Sequence, residues 1–205
     1  MNYQKLLSTA IVLGGAVAFT ALGSVTAEAK MKRISIGTNP AGTTYFVLGG
    51  LFAKIFQEKL GIRSTAQPHA GSSVYLPLLN KGELTMGLNS SLDSAMAYTG
   101  VKPYKAPTKK VRSLARIWQL PYVYFVRTNS GIKSLADLKG KRVVINLKSN
   151  VSLGQLNRTI LATAGLKPSD VKEVTAGNIP QNINTVVEGR ADAAGTALGI
   201  PLIRK

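Results

Sequence analysis

Arg33-Ile34-Ser35-Ile36-Gly37-Thr38-Asn39-Pro40-Ala41-Gly42-Thr43-Thr44 is the stretch on which the fold reading turns. From Arg33 to Gly37 the side chains alternate like a strand. Asn39-Pro40-Ala41-Gly42 is turn chemistry, and Thr43 or Thr44 can cap a helix behind it. Leu48, Leu51, Phe52, Ile55 and Phe56 then recur at the spacing of one buried helical face, out to about Lys59, and Gly61 stops the helix.

Downstream the same logic recurs. A second strand covers about Ile62 to Gln67, and Gly71-Ser72-Ser73 opens a helix that ends near Gly82. Thr85 to Leu88 reads as a short strand, and Ser90 or Ser91 caps a helix that stops at Gly100. Residues 101–110, with prolines and lysines, read as a surface loop. Val111 to Trp118 and Pro121 to Arg127 read as extended segments. The run Tyr122-Val123-Tyr124-Phe125-Val126 predicts a buried strand. A crossing between lobes is placed near Gln119 to Val123.

In the second half, Ser134 caps a short helix over Leu135–Leu138 and Lys141–Asn146 is a strand. Ser149, Asn150 or Ser152 caps a helix to Ala164 that buries Leu153, Leu156, Ile160, Leu161 and Ala164. Val171–Val174, Pro180–Glu188 and Ala193–Thr196 read as strand, helix and strand. Strands alternating with helices of this length imply parallel sheets covered on both faces. The expectation is an α/β fold of two doubly wound lobes, residues 30–120 and 121–205.

Upstream, residues 1–29 read as an address. Lys5 supplies a positive start, Leu6 to Val25 is uncharged and mostly apolar, and Ala27-Glu28-Ala29 is a small-x-small cleavage pattern. Cleavage is expected between Ala29 and Lys30, leaving a protein outside the inner membrane, in the periplasm. No cysteine follows to carry a lipid anchor.

Composition narrows the function. With 45% hydrophobic and 17% charged residues the chain can build a packed core. A net charge of +17 attracts anions. The lysines and arginines are scattered, the densest group being Lys109, Lys110 and Arg112, which argues against nucleic acid as the partner. There is no cysteine and His69 is the only histidine, so a cysteine nucleophile and a two-histidine metal site are both excluded. No Gly-x-Ser-x-Gly elbow, P-loop or dinucleotide fingerprint occurs, and the nine acidic residues are dispersed, so the chain is not read as an enzyme.

Binding chemistry is placed at helix starts. Thr43-Thr44, Ser72-Ser73 and Ser90-Ser91 put hydroxyl residues at three strand-to-helix joints. Free N–H groups and partial positive charge there suit a carboxylate or phosphate. Three such joints on one sheet edge would form a polar pocket without any charged ligand residue. For each joint alone, capping of its own helix is the plainer account. Tyr45, Tyr75, Asn89 and Asn150 lie close to these joints, and Arg127 and Arg142 are candidate carboxylate clamps.

Several stretches, in order, resemble the solute-receptor subunits of TRAP transporters of the TAXI type. They are Ile36-Gly37-Thr38 through Gly42-Thr43-Thr44-Tyr45, Gly71-Ser72 with Leu76, Leu79-x-x-Gly82-Glu83 and Ala97-Tyr98-x-Gly100. Ser134-Leu135-x-Asp137-Leu138-Lys139-Gly140-Lys141-Arg142-Val143, Ala164-Gly165-Leu166, Asp170-Val171 and Gly189-Arg190-x-Asp192-Ala193 continue the series. The resemblance implies a type II periplasmic binding protein that captures a small anionic solute, a carboxylate or amino-acid-like molecule. It would deliver that solute to TRAP membrane subunits, needing no cofactor. The alternative role is a sensing input for a membrane signalling partner. Carried over, the ligand-binding positions are Thr43, Thr44, Tyr45, Gly71, Ser72, Ser73, Asn89 and Ser90, with Asn150 and Ser152 from the second lobe. The sequence departs from the family at Tyr75, where Asn is expected, and at 146–152, which lacks the family's glycine-rich helix start. The chain also stops at Lys205, so an incomplete second lobe with exposed apolar surface is expected.

Overall fold

A computed structural model describes residues 31–102 and 104–203. The expected leader, 1–29, and its cleavage point at Ala29 and Lys30 lie outside the described residues. No helix among the described residues is long and apolar enough to cross a membrane.

The first sheet has strand order β2-β1-β3, formed by β1 (Arg33–Thr38), β2 (Arg63–Pro68) and β3 (Met86–Gly87), all parallel. Helices α1 (Thr44–Leu60), α2 (Ser72–Lys81) and α3 (Ser91–Thr99) follow those strands in turn. Central β1 is buried at every position after Arg33, on both faces. Buried Ser35 is satisfied by Thr85: each backbone N–H donates to the other's hydroxyl, at 3.2 and 3.1 Å.

Helix α1 starts where Thr43 Oγ1 accepts from Phe46 N and ends at Gly61 in the left-handed conformation. Its buried row differs from the sequence expectation. Tyr45, Gly49 and Ala53 face the sheet, with Leu48, Phe52 and Phe56 half-buried beside them; Leu51 and Ile55 are exposed, as is Val47. Gly49 decides this rotation. A β-carbon there would run into Thr38 Cγ2, so only glycine lets the helix lie this close to β1. The exposed ridge Val47-Leu51-Ile55 therefore belongs to the first lobe, while Val187, Leu198 and Ile203 are exposed in the second.

The second sheet has order β4-β7-β5-β6: β4 (Tyr122–Val126), β5 (Arg142–Leu147), β6 (Lys172–Ala176) and β7 (Ala193–Ala197). Strand β5 pairs parallel to β6 and β7. Strand β4 corrects two expectations: it is an edge strand, half-buried throughout, and it runs antiparallel to β7. Aromatic and β-branched residues suit any pleated, half-covered surface, so their density did not report position in the sheet. Helices α4 (Val151–Thr163) and α5 (Ile179–Val187) cover this sheet. The expected helix at Leu135–Leu138 is a single 3-10 turn, Ala136–Leu138, with no side-chain cap; Ser134 instead donates its N–H to Asp137 Oδ2 at 2.8 Å. Residues 112–121 join neither sheet. Within them Trp118 and Leu120 still pack on the first lobe's core, and Tyr122 begins β4.

Tyr75 fills the first lobe's second cluster, with Leu76, Leu84, Ala97 and Tyr104. It is fully buried and its hydroxyl donates to the Leu88 carbonyl. Tyr75→Phe should cost about 1–3 kcal/mol, because that carbonyl loses its buried donor. A lower urea midpoint at unchanged m-value is the expected result.

Candidate functional site

A hollow of about 60 Å³ lies between the carboxyl ends of β1 and β7. From the first lobe Asn39, Thr43, Thr44, Tyr45, Ser90 and Asp93 line it. Leu120 and Tyr122 contribute from the crossing. The second lobe supplies Asn150, Leu153, Ile179, Asn182, Thr196 and Ala197, together with Gly195 and Ile200. The starts of α1 and α3 thus share one cavity with the starts of α4 and α5. This is where open α/β sheets place ligands.

The start of α2 does something else. Ser73 N donates to Ser149 O at 3.0 Å, and Val151 N donates to Ser73 Oγ at 3.1 Å. Asn150 stands at the N-cap of α4 but makes no cap bond to its own helix. Its Nδ2 instead donates to Ser72 Oγ at 3.1 Å and to Asn39 Oδ1 at 3.2 Å. Gly71 makes the approach possible, since a β-carbon there would overlap the Ser149 carbonyl and Asn150 Oδ1. The stretch 146–152 has no glycine, and the glycine of this contact comes from the opposite lobe.

Of the ten ligand positions expected from sequence, Thr43, Thr44, Tyr45, Ser90 and Asn150 line the hollow. Gly71, Ser72 and Ser73 do not; they form the contact between lobes. Asn89 also stays outside, its Nδ2 donating locally to Ser90 O at 3.3 Å and to Ser94 Oγ. Ser152 is fully buried behind the wall, where its hydroxyl faces the Asp93 carboxyl. Neither candidate arginine reaches the cavity. Arg142 pairs with Asp192 at 2.6 Å, and Arg127 Nη1 donates to Val186 O at 2.7 Å.

The expectation of a pocket without a charged side chain is overturned by Asp93. This carboxylate lines the hollow at 4% exposure. Ser90 Oγ donates to its Oδ2 at 2.9 Å, and Asp93 N donates back to Ser90 Oγ at 3.0 Å. Its Oδ1 is buried, and the Ser152 and Ser72 hydroxyls face the same carboxyl. Burial pushes the Asp93 carboxyl above its ordinary range, while the hydroxyls of Ser152, Ser90 and Ser72 pull the other way. Burial also raises the Tyr45, Tyr75 and Tyr104 phenols, and the Asp93 charge adds to each. Asn182 is 1% exposed; its Nδ2 donates to Gly195 O at 2.9 Å, and its Oδ1 is unpartnered. Asp93 is one of the nine dispersed acidic residues, and no local motif in the sequence singles it out; Ser90 Oγ, which caps α3, also donates to its carboxylate. No sequence signal marks Asn182.

Two sheets flanking a shared cleft are the architecture of a type II periplasmic binding protein. Solved structures of that kind align with the chain. The alkanesulfonate-binding protein SsuA from Xanthomonas axonopodis pv. citri, bound to MOPS, does so with TM-score 0.58 and 17% identity, over 82% of this chain and 55% of that one. An ancestral arginine-binding protein bound to arginine gives 0.58 and 22%, over 84% and 73%. PhnD1 from Prochlorococcus marinus (MIT 9301), in complex with methylphosphonate, gives 0.59 and 17%, over 81% and 64%. The chain therefore spans little more than half the length of SsuA. Residues 36–204 match the NMT1-like family, and the chain belongs to it.

Gly71→Ala should push the two lobes apart at the α2–α4 contact. The overlap is with backbone, which cannot swing away, so a cost of about 1–3 kcal/mol is expected. Small-angle scattering should show a larger radius of gyration, with the far-ultraviolet circular dichroism unchanged.

Proposed function

We propose that this chain is the periplasmic solute receptor of a TAXI-type TRAP transporter. On this reading residues 1–29 are removed on export, and 30–120 and 121–205 act as two lobes that close on a small carboxylate-bearing solute. The closed form is handed to membrane subunits driven by an ion gradient, and the receptor itself performs no chemistry. One observation carries the reading: four helix starts, two from each lobe, border a single hollow. Backbone N–H groups at such starts favour a carboxylate, and a ligand touching both lobes binds the closed state more tightly than the open one. The net charge of +17 draws anions towards the protein from a distance.

Thr43, Thr44 and Tyr45 at α1 and Ser90 at α3 are the proposed first-lobe contacts, and Asn150 is the second-lobe contact. Gly71, Ser72, Ser73 and Ser152 serve the closed state from behind, and Asn89 orders the turn before α3. In a thermal-unfolding screen of organic acids and amino acids, the true solute at a hundredfold excess over its Kd should stabilise the protein by about 2.7 kcal/mol. A panel with no stabilising member would reject the receptor role.

A further inference from the structure

A second hollow, of about 320 Å³, opens on the other side of α4 from the cleft. Val151, Gln155 and Arg158 line it, and at about 100° per residue they share one face of the helix. Leu153, which lines the cleft, lies roughly opposite on the same helix. Lys148 joins them from the end of β5, and Met96 and Lys102 come from the first lobe. The backbone beneath both lysines is held in place. Lys148 N donates to Ala176 O at 3.0 Å, and Val101 N donates to Met96 O at 3.1 Å in the turn that closes α3. This hollow therefore spans the two lobes, as the cleft does, yet shares no lining residue with it.

Its charge is one-sided. Lys102, Lys148 and Arg158 are the ionisable residues of its wall. Arg158 is partly neutralised, because its Nη2 donates to Glu173 Oε2 at 3.0 Å, and Asn146 Nδ2 donates to the same oxygen at 3.1 Å. Among the described residues neither Lys102 nor Lys148 pairs with a carboxylate. Three cations and one carboxylate leave the hollow a surplus of two positive charges. An exposed lysine by itself is an ordinary solvated charge. Gathered in one concave wall, like charges from two lobes repel each other and focus their field on whatever anion lies between them.

We infer that this hollow is a second binding site, for a small phosphomonoester. A phosphate ester carries about −1.5 to −2 charge at pH 7, which matches the surplus, whereas a monocarboxylate would offset half of it. The volume falls within the roughly 300–1,000 Å³ of small-molecule sites, so an organic body fits beside the phosphate, against Met96 and Val151. The cations come from both lobes, so occupancy favours the arrangement in which the lobes touch. None of this depends on what the cleft itself binds.

The test is calorimetric titration of the purified protein with glycerol 3-phosphate, inorganic phosphate and glycerol at one fixed ionic strength. Glycerol 3-phosphate should bind at one site per chain and several-fold more tightly than inorganic phosphate, and glycerol should not bind. Lys102→Gln combined with Lys148→Gln should weaken glycerol 3-phosphate at least tenfold. Lys59→Gln combined with Lys139→Gln removes the same charge at exposed positions that line neither hollow, and should change binding by less than about twofold. Equal weakening in the two variants would assign the effect to the overall positive field and overturn the site. Binding that survives in the Lys102 and Lys148 variant would place the phosphate elsewhere and overturn it too, as would no binding by the wild type. Inorganic phosphate binding as tightly as the ester would overturn the contact with an organic body.

Discussion

The short contact between the start of α2 and the start of α4 is the constraint on which the rest of the structure depends. Ser73 and Ser149 exchange a backbone hydrogen bond, Val151 N is capped by Ser73 Oγ, and Asn150 reaches Ser72 and Asn39. All four bonds cross from one lobe to the other. They fix the distance between the carboxyl ends of β1 and β7, and so the size of the hollow. They also use the helix starts twice. The donors Ser73 N and Val151 N, which elsewhere would meet solvent or ligand, here bond across the lobes, while the starts of α1, α3 and α5 face the cavity and Asn150 at the start of α4 borders it. Val151 adds an apolar part to the same contact by packing on the cluster around Tyr75. Few bonds are involved, each worth about 1 kcal/mol net, which suits an interface that must also open.

Gly71 and Tyr75 are coupled in this arrangement. Gly71 lets the second lobe's backbone come within bonding distance of α2. One turn later Tyr75 fills the interior behind it, its ring against Gly37 and Gly87 and its hydroxyl on Leu88 O. Tyr75 therefore braces the wall from which Ser90 and Asp93 project, though it does not touch the cavity. The tyrosine at this position serves packing in the first lobe.

Most element boundaries were legible because local chemistry sets them. Gly61, Gly82 and Gly100 close their helices in the left-handed conformation, and Thr43 and Ser90 cap theirs through their own hydroxyls. What the sequence concealed depends on distant partners. The buried row of α1 follows from Gly49 sitting on Thr38, not from the density of leucines and isoleucines. The antiparallel edge placement of β4 follows from its pairing with β7. Asp93 carries no local signal, since its burial is the work of α2 and α4. Asn150 looked like a cap and is not one, because its amide found better partners across the cleft.

The sign of the protein's charge and the sign of its buried group point in opposite directions, and the two operate at different ranges. A net charge of +17 acts through solvent over about 8–10 Å before salt screens it, and selects what approaches. Asp93 acts at short range: Ser90 Oγ donates to its Oδ2, and the Ser152 and Ser72 hydroxyls offset part of the cost of burying the charge. The first therefore concerns encounter, and the second the packing of the start of α3 against α2 and α4.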